Sequence, residues 1–98
     1  MMGIPEYWRS PDNQVYRVRR GYQELFEQRG ARYSVRLEKL GDPADRPVAE
    51  SSVELREADL LQTVRLGHQA PTPEQLYQQA FDQAVGSVGR TSGGSVES

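Results

Sequence analysis

The one histidine of the chain, His68, has the side chain best suited to proton transfer near neutral pH. It follows Gly67 and precedes Gln-Ala-Pro, a composition typical of a loop. A catalytic base requires a nucleophile or an acid beside it, and neither a Gly-x-Ser-x-Gly motif nor a metal-ligand spacing accompanies this histidine. We therefore expect a solvated loop histidine and a protein without enzymatic activity.

The remaining candidates for ligand chemistry do not form a site. Residues 86–92, Gly-Ser-Val-Gly-Arg-Thr-Ser, lack the lysine of a phosphate-binding loop and follow a helical pattern, whereas that loop follows a strand. Asp42 and Asp45 are too sparse for a calcium loop, which requires acidic or amide side chains at alternate positions. The absence of cysteine excludes disulfides and thiolate metal sites. The sequence therefore predicts no cofactor and no metal.

Arginine is the residue type with the clearest pattern. Lys39 is the one lysine among twelve basic residues, and arginines alternate with apolar residues in two segments. Successive side chains of a strand point to opposite faces, so these arginines would share one face of a sheet if the two strands were adjacent. An arginine fork binds carboxylates and phosphates and stacks on bases. The predicted partner-binding residues on this face are Arg17, Arg19, Arg32 and Arg36.

Two adjacent aromatic residues, Tyr7 and Trp8, precede the first arginine segment. Neighbours on a strand lie on opposite faces, so one ring could be exposed as a stacking or docking platform beside the arginines. Both residues therefore belong to the predicted partner-binding set. The simplest interpretation of Trp8 is a cross-strand pair with Tyr16 or Val18.

The arginine face has three interpretations. It could bind another protein, it could bind nucleic acid, or it could be a solvated face whose arginines pair with Glu38, Glu50 or Glu54. A net charge of −2 and a single lysine disfavour nucleic acid, which requires a surplus of positive charge. Charge is also divided along the chain, with net +3 over residues 1–40 and −5 over residues 41–98. This division either favours docking to a charged partner or reflects chance scatter in a small protein.

The elements that must position the arginines are strands. Residues 14–20 and 31–40 alternate apolar and polar side chains with a period of two, as a half-buried strand requires. Residues 6–9 form a further candidate strand, and the Ser-Pro-Asp-Asn sequence at 10–13 predicts the turn of a hairpin.

The segment between the two arginine strands has a different period. Tyr22, Leu25 and Phe26 stand at helical spacing, so the pattern predicts a short helix over 21–30 with Gly30 as its left-handed cap. A parallel crossover usually needs more residues, so we expect the flanking strands to be antiparallel. A distorted long hairpin through this segment is the alternative.

After a loop over 41–47, residues 48–56 again alternate and predict a strand that pairs with the preceding one. A capping box formed by Ser51 and Glu54 would instead begin a helix here, but a β-branched residue and two serines favour the strand. Residues 57–66 change to a helical period and predict a short helix, with a final strand as the alternative.

The strongest helical signal begins at Thr72, an N-cap followed by proline and by a capping-box glutamine. We predict a helix over 73–85 that ends at Gly86, followed by a flexible tail over 87–98 of glycine, serine and threonine. The apolar stripe of this helix is Leu76, Tyr77, Ala80, Phe81, Ala84 and Val85.

These elements predict one α+β domain over residues 1–86. It consists of a three- or four-stranded antiparallel sheet with helices on one face. A hydrophobic content of 36% and a mean hydropathy of −0.77 indicate a small core, so a partner or self-association could add stability. No apolar run is long enough for a membrane span, and the N-terminal residues do not have the composition of a secretory signal, so we expect a cytoplasmic protein.

By elimination, and from the small core, the divided charge and the arginine face, the sequence predicts a non-enzymatic protein-binding module. It would act as an adaptor, an assembly factor or an inhibitor, within a larger complex or a homo-oligomer. A small nucleic-acid-binding regulator that uses the arginine-rich sheet face is the alternative.

Overall fold

The computed structural model describes residues 3–41 and 48–97, with side chains described as far as Val88. The elements are β1 (Tyr7–Arg9), β2 (Val15–Leu25), a 3₁₀ turn (Phe26–Gln28), β3 (Gly30–Lys39), β4 (Ala49–Arg56), α1 (Glu57–Arg65) and α2 (Pro73–Glu97). Within the described residues the strands form one antiparallel four-stranded sheet in the order β1-β2-β3-β4. The predicted α+β class is confirmed.

The turn between β1 and β2 forms as its sequence predicts. The Ser10 N–H donates to the Gln14 carbonyl (2.8 Å), and the Asn13 N–H donates to the Ser10 carbonyl (2.9 Å). Asn13 has a φ of 71°, a left-handed conformation that asparagine tolerates. The turn places Trp8 opposite Tyr16, with ring centroids 5.6 Å apart, so the predicted cross-strand aromatic pair is confirmed.

The predicted helix over 21–30 is wrong, and the long hairpin forms instead. β2 continues to Leu25, and Tyr22 lies opposite Tyr33 with ring centroids 5.3 Å apart. A helix of this length depends on packing of its apolar face, but Phe26 is 79% exposed. Continuous pairing of β2 with β3 satisfies the backbone without that packing.

The left-handed conformation at the end of the 3₁₀ turn belongs to Arg29, with a φ of 51°, and not to Gly30 as predicted. Gly30 lies in β3, where a Cβ would collide with the carbonyl oxygen of Leu55 in β4. Gly30 is therefore required by the close approach of β3 and β4. It does not serve as the cap of a helix.

One face of the sheet carries the core, and α2 covers it. Val35 and Leu37 of β3 are fully buried, and Ala80 and Ala84 of α2 are also at 0% exposure. The small alanine side chains allow the helix axis to approach β3 and β4 closely. The predicted packing of the C-terminal helix on the sheet is confirmed.

The start of α2 follows its sequence signal. The Gln75 N–H donates to the Thr72 hydroxyl oxygen (3.2 Å), and the Thr72 N–H donates to the Gln75 side-chain carbonyl (2.9 Å). These reciprocal bonds form the predicted capping box, which satisfies donors that a helix N-terminus leaves without intrahelical partners.

The end of α2 lies beyond the predicted boundary. The backbone is helical through Glu97, so Gly86 lies inside the helix and does not end it. Val88, at 8% exposure, packs in the core one turn after the apolar stripe predicted for 73–85. Burial of this valine favours continuation of the helix over termination at the glycine. A flexible tail over 87–98 stays a prediction.

β4 and α1 form where the sequence predicts them, and both alternatives, a helix from Ser51 and a strand over 57–66, are wrong. The predicted loop over 41–47 lies outside the described residues except for its first. No residue of α1 is buried, and Leu61 and Val64 are 55% and 57% exposed. The predicted placement of helices on one face therefore describes α2, whereas α1 lies beyond the end of β4.

Tyr77 fixes α2 to the end of β2 that β1 does not cover. Its hydroxyl donates to the Gly21 carbonyl (3.1 Å), and its ring meets Tyr33 edge to face with centroids 5.2 Å apart. The Arg20 guanidinium lies 5.3 Å from the ring centroid. Burial raises the pKa of the Tyr77 hydroxyl, and the positive charge of Arg20 opposes this rise.

The chain offers a matched pair of phenylalanines to test the core. Phe81 is 9% exposed and meets Trp8 edge to face at 6.5 Å, whereas Phe26 is 79% exposed. We expect Phe81→Ala to lower the free energy of unfolding by about 3–5 kcal/mol, because it leaves a cavity between sheet and helix. Phe26→Ala should change it by less than about 0.5 kcal/mol. Urea denaturation measures both, and equal losses would contradict the placement of the core.

Replacement of Tyr77 by phenylalanine tests the bond to Gly21. Loss of the bond should lower the free energy of unfolding by about 0.5–1.5 kcal/mol at neutral pH. Because the pKa of Tyr77 is higher in the folded state, its contribution is present below the ordinary tyrosine pKa of about 10 and is lost as pH rises through the folded value. Between pH 9 and 11, about one unit each side of the ordinary tyrosine pKa, the free energy of unfolding should therefore fall less for Tyr77→Phe than for the parent. Tyr7→Phe, which removes an exposed hydroxyl on the other face, is the control, and parallel profiles would contradict the assignment.

Candidate functional site

The sheet has a second face, turned away from α2, which we call the open face. Its side chains alternate with the buried Val35 and Leu37 along β3 and with their register partners along β2 and β4. The period of two that predicts the strands therefore also assigns the polar residues to this face. The open face is formed by Tyr7, Arg9, Arg17, Arg19, Gly21, Gln23, Arg32, Ser34, Arg36, Glu38, Glu50, Ser52, Glu54 and Arg56.

The structure brings five of the six sequence-predicted binding residues together on the open face and separates the sixth from them. β2 and β3 are adjacent, so their four arginines share the face, and Tyr7, 50% exposed, lies opposite Arg17 in the register. Trp8 lies on the other face, half-buried between Tyr16 and Phe81. Of the adjacent aromatic residues, only Tyr7 is therefore placed to contribute an exposed ring.

Arg32 is held by an acidic and an amide side chain. Its Nε and Nη2 atoms donate to Glu54 Oε2 at 3.0 and 2.7 Å, and its Nη1 atom donates to Gln23 Oε1 at 2.9 Å. Arg56 donates to the other oxygen of Glu54 at 2.7 Å. The hydrogen bonds from Arg32, and then those from Arg56, hold the pKa of Glu54 below its ordinary value. This cluster joins β2, β3 and β4 across the open face.

Both signs of charge are present over the rest of the face, although Arg19 lies directly opposite another arginine, Arg36. Arg36 forms an ion pair with Glu38 (3.5 Å) and lies opposite Glu50 in the register, and Glu38 itself lies opposite Arg17. Arg17 and Arg19 form no ion pair with any side chain that the structure describes, and both are exposed. Of the four predicted arginines, they are therefore the two available to a partner without the loss of an existing pair.

Small residues at the centre of the open face form a shallow hollow of about 670 Å³. Gly21, Ser34 and Ser52 form its floor, and Arg32 and Glu54 form one wall. A Cβ at position 21 would collide with the Ser34 hydroxyl, so the glycine keeps the floor low. The hollow can accept one side chain of a partner and offers it hydroxyl, guanidinium and carboxylate groups.

Gly21 and Gln23 are parts of this site that the sequence prediction missed. The prediction of a helix over 21–30 removed both from the sheet. The signal was nevertheless present, because Arg17, Arg19, position 21 and position 23 continue one alternation along β2.

Elsewhere, the described residues contain no group of side chains arranged as a catalytic or metal-binding site. They contain no cluster of histidine, aspartate and glutamate that could hold a metal ion. His68 is exposed after α1, and its backbone N–H donates to the Thr63 carbonyl (3.0 Å). Over the same residues, no helix has the length and apolar character needed to cross a bilayer.

Comparison of the chain with protein-family models, with curated proteins and with solved structures finds no match. A functional proposal for this protein therefore depends on the geometry of the open face.

The pH dependence of Glu54 tests the cluster around Arg32. Because the folded pKa of Glu54 is depressed, its stabilising contribution is present above the ordinary glutamate pKa of about 4.3 and is lost as pH falls through the folded value. We expect Arg32→Gln to raise the pKa of Glu54 toward the ordinary value in an NMR titration of the carboxyl carbon. Arg65→Gln, in α1, should leave the titration unchanged. The same curve in all three proteins would show that Arg32 does not hold this carboxylate.

Proposed function

We propose that this protein is a non-enzymatic protein-binding module, an adaptor, assembly factor or inhibitor, whose binding surface is the open face of the sheet. The observation that supports it best is the mixture of arginines and glutamates on that face, combined with two exposed arginines, Arg17 and Arg19, outside the described ion pairs. α2 packs on the opposite face and leaves these side chains in water.

A face that carries both arginines and glutamates suits a protein surface better than a polyanion. Arg32 and Arg36 each have a carboxylate within 3.5 Å, so their charges are compensated before any partner arrives. A phosphate backbone would face Glu38, Glu50 and Glu54 as well as the arginines, and each carboxylate would repel it. A protein partner can present charges of the opposite pattern, and arginine and tyrosine are enriched where such interfaces bind most tightly.

The second candidate function is nucleic-acid binding, and one observation favours it. Tyr7 lies directly opposite Arg17, and Arg19 follows on the same face, so an aromatic ring and two guanidinium groups adjoin at one edge of the open face. Such a group could stack one base and contact phosphates. The net charge of −2 weighs against it. For either function we propose a cytoplasmic location. The chain contains no cysteine, so it does not depend on the oxidising compartments in which disulfides form.

The experiment for the preferred function is affinity capture from the native host with three baits. They are the parent, the double variant Arg17→Gln/Arg19→Gln, and the control Arg29→Gln/Arg65→Gln, which removes two arginines away from the open face. Exposed ion pairs contribute only about 0–1 kcal/mol, so all three should fold alike by circular dichroism. We expect one protein that the parent and the control retain in equal amounts and that the open-face variant loses. Identical retention by all three baits would contradict the proposed surface.

Titration of labelled single- and double-stranded oligonucleotides separates the two candidates. We expect binding that is absent, or present only at low salt and lost at physiological salt. Tight binding that persists at physiological salt would overturn the preferred function. Under that outcome Arg17→Gln/Arg19→Gln should reduce the salt dependence, because fewer counterions are released when fewer phosphates are contacted.

A further inference from the structure

β4 is an edge of the sheet, and half of its backbone groups point away from β3. The Glu57 N–H donates to the Arg29 carbonyl (3.1 Å), which identifies residues 29 and 57 as a hydrogen-bonded pair of the ladder. Bonded and non-bonded pairs alternate in an antiparallel ladder, so the odd-numbered residues of β4 bond to β3. The N–H and C=O groups of Glu50, Ser52, Glu54 and Arg56 therefore face outward, and they have no backbone partner among the described residues.

The two edges of the sheet differ in how they are protected. β1 is three residues long and lies between two prolines, so it offers few backbone groups to another strand. β4 has eight residues and contains no proline, lysine or glycine. A strand of this length with free backbone groups is a template for another strand.

The charges of β4 are complementary to those of a second β4 in one register. If two copies pair antiparallel with Val53 facing Val53, Glu50 lies opposite Arg56 of the second copy, and the same contact recurs by symmetry. A shift of two residues in one direction places Glu50 opposite Glu54, and in the other direction it places Glu54 opposite Glu54. Like charges directly opposite are unfavourable, so the electrostatics select the first register.

We propose that two copies of this chain pair through their β4 edges in that register and form one continuous eight-stranded antiparallel sheet. The outward groups of the even-numbered residues then bond to one another across the two-fold axis. The pairing also brings the start of α1 beside Val48 of the second copy, and Val48, Leu61 and Val64 are all about half exposed in one copy. Both open faces lie on the same side of the joined sheet.

A cysteine reporter tests the register, because the chain has no cysteine of its own. Val53 faces its counterpart at a non-hydrogen-bonded position, where Cα atoms are about 4.5 Å apart and a disulfide fits. We expect Val53→Cys to form a covalent dimer under mild oxidation. Ser51→Cys is the matched control, because position 51 lies four residues, about 13 Å, from its counterpart in this register. Equal cross-linking of both variants, or of neither, would overturn the register.

Charge reversal tests the contact in the cysteine-free protein. The parent should become heavier with concentration in analytical ultracentrifugation. Glu50→Arg and Arg56→Glu should each raise the dimer Kd about tenfold, because each places like charges opposite at two symmetric positions. The double variant Glu50→Arg/Arg56→Glu should restore the parent Kd within about threefold, a rescue that a defect of folding would not produce. A parent that stays monomeric, or reversals that do not rescue each other, would overturn the proposal, whereas the proposed partner binding of the open face would stand.

Discussion

The packing of α2 against β3 and β4 determines which face of the sheet is buried and which faces water. Ala80 and Ala84 lie with no exposed surface against the side of the sheet that also buries Val35 and Leu37. One helix can cover one face of a small sheet, so every second residue of the strands must be compatible with water. The polar character of the open face is thus a consequence of the same packing that forms the core.

The open face carries two sets of charged side chains: one set pairs across the strands, and the other is free to contact a partner. Glu54 receives hydrogen bonds from Arg32 and Arg56 and thereby links β3 to β4, and Arg32 also donates to Gln23 of β2. Arg17 and Arg19, in contrast, lie outside the ion pairs of the described residues. Separation of the two sets along β2 and β3 means that a partner can engage the arginines of β2 without opening the cluster that supports the sheet. Gly21 and the two serines beside it keep the space between the sets free of side chains.

Local sequence patterns correctly predicted the elements that have one buried and one exposed face. The alternation in β3 and β4 and the capping box at Thr72 determined strands and helix start correctly. The helix predicted over 21–30 was wrong because its three apolar residues at helical spacing are also compatible with a strand. Pairing with β3 favours the strand over the helix. The length of α2 was underestimated because a glycine inside a helix costs only about 1 kcal/mol, less than the burial of Val88 returns. The hollow required the register of three strands, which no local pattern contains.

The order of the elements along the chain has a consequence for biosynthesis. All four strands are complete at Arg56, but the part of α2 that covers them extends to Val88, about 30 residues later. At about 5–20 residues per second, a ribosome needs roughly 2–6 s to supply that cover. During this interval the nascent sheet presents Val35 and Leu37 to solvent together with a free β4 edge. The C-terminal helix is therefore the last element that becomes available to dock, and the ribosome-bound chain is the stage at which a chaperone would find both apolar surface and an open strand.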